Sequence, residues 1–161
     1  MVCIVNKKVA IMEDHVKFMK TALALAERAA RGEDVPVGAV IVKDGTVIAS
    51  AFNEREKGND ATAHAEILAI REACKIVGSW RLSECDLYVT LEPCPMCAGA
   101  IVNSRIRHVY YGAKDARGGA LGSVMDLRSY PLFSKPLVTG GICEAESRAV
   151  LQTFFKTKRE K

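Results

Sequence analysis

The chain has 161 residues, 49% of them hydrophobic and 26% charged, with a net charge of +4. That composition excludes a disordered or fibrous polymer and fits one globular core. No apolar stretch approaches the roughly 20 residues of a membrane span, and the first residues lack a secretory apolar core. A soluble, cytoplasmic protein without membrane attachment is therefore expected, with its six cysteines reduced rather than paired.

Over residues 13–31 apolar side chains recur every three to four positions, which predicts an amphipathic helix ending near Gly32, with residues 1–12 as an N-terminal extension. Residues 37–42 and 46–52 are apolar and β-branched and flank an Asp44-Gly45 turn signal, so they read as a hairpin. The polar stretch 53–60 reads as a loop. Thr62 is placed to cap a helix that Gly78 stops. Residues 87–90 predict a strand, 93–103 a helix and 108–111 a strand, a unit that should form a parallel crossover. The glycine-rich, charged stretch 113–129 predicts a loop with a short helical turn, and 137–139 a last strand. Residues 144–161 close the chain as a helix whose basic end runs through Lys156, Lys158, Arg159 and Lys161. Together these elements predict one α/β domain over residues 1–161, a mixed five-stranded sheet between helices. His15 and His108 are expected to be structural. Cys74, Cys85 and Cys143 are expected as core thiols, Trp80 as packing over a helix end and Met96 as packing inward.

The chemistry is concentrated in Ala63-His64-Ala65-Glu66 and Pro93-Cys94-Pro95-Met96-Cys97. Cys94 and Cys97 are spaced to share one helix face near its N-terminus, where the dipole favours thiolate, the metal-binding form. One imidazole and two thiolates suit zinc, and three protein ligands leave a fourth position for water. Glu66, two residues beyond His64, is placed to accept and return that water's proton. Two other readings of the same residues stay open: a structural zinc closed by a further ligand such as His108, and a redox dithiol. Neither gives Glu66 a task.

A His-x-Glu ahead of a Pro-Cys-x-x-Cys is the signature of the zinc nucleobase deaminases. Beyond it, the chain resembles the bacterial tRNA-specific adenosine deaminases of the cytidine/deoxycytidylate deaminase superfamily. The resemblance runs through Val35-Pro36-Val37-Gly38-Ala39-Val40, Ala61-Thr62-Ala63-His64-Ala65-Glu66, Val89-Thr90-Leu91-Glu92-Pro93-Cys94, Met96-Cys97-Ala98-Gly99-Ala100, Ser104-Arg105-Ile106 and Gly112-Ala113-Lys114-Asp115-Ala116. It implies a three-layer α/β/α cytidine deaminase-like fold, a homodimer, one zinc per subunit, and conversion of the wobble adenosine of a tRNA anticodon stem-loop to inosine. Carried over by position, His64, Cys94 and Cys97 are the zinc ligands and Glu66 the proton shuttle. Asn53 is expected to hydrogen-bond the purine, the backbone at Ala65 to line the base pocket, and Asp115 to contact the neighbouring nucleotide. Of the two aromatics in the last helix, one is expected in the core and Phe155 against RNA.

Read without the resemblance, Asn53 serves equally as a turn residue and Asp115 as a solvated loop carboxylate. Pro95 between the cysteines also occurs in deaminases of free guanine, so the central motif leaves polymer and free base as alternative substrates. A non-catalytic RNA-binding subunit that keeps zinc for folding is a third reading. Glu66, which no structural zinc requires, speaks against it.

Overall fold

The computed structural model describes residues 2–160. Lys161 of the basic end lies outside them, as do Met1 and the side chain of Cys3. In chain order the elements are α1 (Val2–Arg31), the hairpin β1 (Gly38–Lys43) and β2 (Thr46–Phe52), the short α2 (Arg55–Gly58), α3 (Ala65–Val77) and β3 (Cys85–Leu91). They continue with α4 (Pro95–Asn103), β4 (His108–Ala113), a 3-10 turn at Leu127–Ser129, β5 (Leu137–Gly140) and α5 (Glu144–Arg159).

The five strands form one sheet in the order β2-β1-β3-β4-β5, antiparallel from β2 to β3 and parallel from β3 to β5. Strand alternation sends successive side chains to opposite faces, and here both faces are covered. Ala39, Ile41, Leu87, Val89, Val109 and Tyr111 pack with Ala69 and Ala73 of α3 and Ala98 and Ile101 of α4. On the other face Val40, Val42, Tyr88 and Tyr110 pack with Phe18, Met19, Ala22 and Leu23 of α1, with Val150 of α5 beside them. The result is the three-layer α/β/α fold expected from the sequence. Gly38 allows α1 to lie directly on β1, because a Cβ there would stand 2.0 Å from the carbonyl oxygen of Ala22.

Several boundaries depart from the sequence reading. α1 begins at Val2 rather than near Glu13, so most of the expected extension is continuous helix. The loop 53–60 contains the four-residue α2, stabilised by Asp34, a buried carboxylate whose Oδ2 accepts the Glu56 N–H at 2.9 Å. Thr62 does not cap α3. Asp60 Oδ1 takes both its N–H (2.8 Å) and its hydroxyl (2.7 Å), and the N-cap is His64. α4 starts at Pro95 with Cys94 as its N-cap, leaving Pro93 outside the helix.

His15 and His108 are structural, as expected. His15 Nδ1 pairs with the Tyr88 hydroxyl at 2.7 Å, His108 Nε2 pairs with Thr139 Oγ1 at 2.8 Å, and both rings stack on Tyr110. Cys85 is a buried thiol, but Cys74 and Cys143 are only partly buried. Met96, expected to pack inward, is 36% exposed, and Trp80 is 52% exposed and lies against Arg81 with the guanidinium 4.1 Å from its ring centre. No described helix is long and apolar enough to cross a membrane.

Candidate active site

His64 and Cys94 are both helix N-caps with extended backbones, at φ −76°, ψ 149° and φ −72°, ψ 173°. β2 leads through α2 into α3, and β3 leads directly into α4, so the two helix starts meet beyond one end of the sheet. Cys97, in the first turn of α4, completes the group. His64 Nδ1 lies 3.7 Å from Cys94 Sγ and 3.5 Å from Cys97 Sγ, and the three donor atoms all lie within 4.8 Å of one another.

Tetrahedral zinc with nitrogen at about 2.0–2.1 Å and sulfur at about 2.3 Å separates those donors by roughly 3.5–3.6 Å. The site fits one zinc ion held through Nδ1 of His64 and the two thiolates. With protons rather than a metal on these groups, hydrogen bonding from Cys97 and His64 holds the Cys94 thiol down at about 4. The hydrogen bond to Cys94 and burial push Cys97 up, and the bond to Cys94 raises His64. Because each ligand must give up its proton to a metal, the lowered Cys94 thiol favours binding, while the raised Cys97 and His64 oppose it and make binding pH-dependent.

Glu66, at the second position of α3, is 3% exposed, and burial pushes its carboxyl up to about 7. A carboxyl poised near neutrality can both take and return a proton. His64, Glu66 and Cys94 line a cavity of about 350 Å³ whose other walls carry Asn53, Asp115, Phe155 and the cations Arg55, Lys114 and Arg117.

Residues 12–113 match the cytidine and deoxycytidylate deaminase zinc-binding region. A tRNA-specific adenosine deaminase of Agrobacterium fabrum is 49% identical over 149 residues, covering 92% of this chain and 98% of that protein. This chain belongs to the tRNA-specific adenosine deaminase family. The relative from Bacillus subtilis is 47% identical over 145 residues, 89% of this chain and 90% of its own length. A solved structure from work on A-to-I editing by tRNA:A34 deaminases at the wobble position aligns with a TM-score of 0.79 at 49% identity, covering 84% of this chain and 99% of that one.

Of the residues named from sequence, Asn53, His64, Glu66, Cys94, Asp115 and Phe155 line the cavity, whereas Ala65 and Cys97 do not. Asn53 is 5% exposed and its Oδ1 accepts the Ala65 N–H at 2.9 Å, so the side chain caps α3 from a distance of twelve residues in sequence. The Ala65 N–H is thus engaged within the protein, and Ala65 itself is fully buried. Asp115 reaches the cavity while its Oδ1 accepts the N–H groups of Arg117 at 2.9 Å and Gly118 at 3.1 Å. Phe155 is 47% exposed and lines the cavity, whereas Phe154 is partly buried beside it, ring centres 5.4 Å apart. The sequence reading missed Glu92. It is 2% exposed, adjoins the metal-binding segment and lines the same cavity. Its only sequence signal is a carboxylate at the end of an apolar strand, directly before Pro93-Cys94.

Proposed function

We propose that this protein hydrolyses the wobble adenosine of a tRNA anticodon to inosine, releasing ammonia. The observation that carries the reading is Glu66, buried beside the His64, Cys94 and Cys97 cluster on the wall of a cavity with three cations around it. Zinc, when bound there, supplies Lewis-acid polarisation of water and lowers its pKa towards about 7. Glu66 takes one proton from the water and delivers it to the purine ring nitrogen, then takes the remaining hydroxyl proton and delivers it to the departing amine, so the water's oxygen stays on the base and ammonia leaves. Asn53, with its oxygen held by the Ala65 N–H, keeps its NH2 group for a purine acceptor. A base must leave the stack to enter such a cavity, and the anticodon loop offers one at least cost. Arg55, Lys114 and Arg117 suit the flanking phosphates, and Phe155 suits stacking on a neighbouring base.

The homodimer belongs to the same proposal. Met96 of α4 and Val124, Met125, Tyr130 and Phe133, in the segment around the 3-10 turn that packs on α4, leave large apolar side chains exposed. Such a surface is typical of subunit contact. Sedimentation should give twice the chain mass.

The test of the activity is to incubate zinc-loaded protein with an anticodon stem-loop carrying a wobble adenosine, beside free adenosine, adenine, guanine and cytosine. Each is scored by mass for amine replaced by oxygen. Conversion confined to the stem-loop supports the proposal. Conversion of a free base alone keeps the zinc chemistry and discards tRNA as substrate.

A further inference from the structure

The segment between β4 and the 3-10 turn contains neither helix nor sheet strand, only an isolated bridge between Leu121 and Asp126. Yet it carries Lys114, Asp115 and Arg117 to the cavity. Besides its own turn hydrogen bonds, it is tied to the end of β3 by one side chain. Glu92 Oε1 accepts the N–H groups of Leu121 at 3.1 Å and Ser123 at 3.0 Å, while Oε2 accepts the Asp115 N–H at 3.1 Å and the Ser123 hydroxyl. The neighbouring backbone adds two links: Glu92 N–H to Ala113 O at 2.8 Å and Ala120 N–H to Pro93 O at 2.9 Å. Gly119 closes the turn over the carboxylate so tightly that a Cβ there would stand 2.4 Å from Glu92 Cδ.

A carboxylate is acceptor-only and meets four donors here, an arrangement that its amide isostere cannot reproduce because an NH2 would face N–H groups. A loop that needed only packing would be served by an apolar side chain at this position. Its neighbour but one is Cys94, so the residue ties the metal-binding segment to the loop that carries Asp115.

We infer that Glu92 is a positioning residue for substrate affinity: through its bonds to Asp115, Leu121 and Ser123 it fixes the Asp115 loop relative to Cys94, so that the nucleotide beside the target is gripped while the target base sits at the metal. The inference rests on the tRNA reading above. Glu66 moves the protons, and Glu92 touches no reacting atom.

The experiment compares wild type, Glu92→Gln, Asp115→Ala and the double variant on the stem-loop, together with zinc stoichiometry and hydrogen exchange. Glu92→Gln should keep one zinc per subunit and a kcat within about twofold, while KM rises about tenfold. Amides across 115–123 should exchange faster while those of α3 and α4 stay protected. In the Asp115→Ala background the added effect of Glu92→Gln should be less than about twofold, because both act through one contact. Additive losses, a fall in kcat at unchanged KM, or loss of zinc overturns the inference. If Glu92→Gln does not fold, Ser123→Ala removes a single donor and should raise KM about threefold with kcat unchanged; unchanged KM overturns the inference. A wild-type protein inactive on the stem-loop withdraws the tRNA reading, and loop exchange in Glu92→Gln then decides this one: unchanged protection overturns it.

Discussion

Asn53 holds two tasks in one amide, and two substitutions separate them. Its Oδ1 accepts the buried Ala65 N–H at 2.9 Å, and its NH2 faces the cavity as a donor to the purine in the proposed complex. Asn53→Ala removes the acceptor and leaves a backbone N–H of a fully buried residue without a partner, which costs about 1–3 kcal/mol. Taking about 2 kcal/mol, and about 2–4 °C per kcal/mol for a chain of this size, the melting temperature should fall by roughly 4–8 °C. Asn53→Asp keeps an acceptor at the N-terminus of α3, where negative charge is favoured, so its stability should stay within about 1 kcal/mol of wild type. It presents oxygen instead of NH2 to the purine, and deamination should fall on the order of 100-fold, about 2.7 kcal/mol of transition-state stabilisation. Thermal unfolding and kcat/KM on the stem-loop are measured for both variants, with zinc content as a check that His64 is undisturbed. An Asp variant as unstable as the Ala variant, or one that retains full activity, refutes the division of labour.

Glu66→Gln should bind zinc normally and lose about 10³–10⁴ in kcat, read by stem-loop conversion; near-normal turnover sinks the shuttle assignment. Gly38→Ala should unfold at markedly lower denaturant, since its Cβ would lie 2.0 Å from Ala22 O and 2.7 Å from Ala26 N and force α1 off the sheet. Burial lowers the pKa of His108, with His15 and Arg107 adding to the effect and Asp86 opposing it. The unfolded state therefore binds the proton more readily, and stability falls as pH drops below the ordinary histidine value of about 6.5. Denaturant titrations between pH 5.5 and 7.5 should show a shallower loss for His108→Gln than for wild type.

The sequence by itself determined most of the element types, a sheet lying between helices and the chemistry of the centre. Apolar periodicity of 3.6 placed the body of α1 and α5, the Asp44-Gly45 pair placed the hairpin turn at φ 48° and 72°, and Gly78 ended α3 at φ 70°. These are local preferences, and local preferences are written in neighbouring residues. The metal donors were legible because zinc demands particular side chains, and two of them three residues apart on one helix turn have few other uses. Tertiary structure decided what depended on residues distant in sequence. Asp60 diverted Thr62 from capping α3, and Asn53 supplied a cap in its place. The contact through Nδ1 of His64 followed from where α4 delivered its thiols. Glu92 acquired its partners only when the chain from Asp115 to Ser123 folded back over the end of β3, because hydrogen bonds across 23 to 31 positions leave no periodic trace in the sequence.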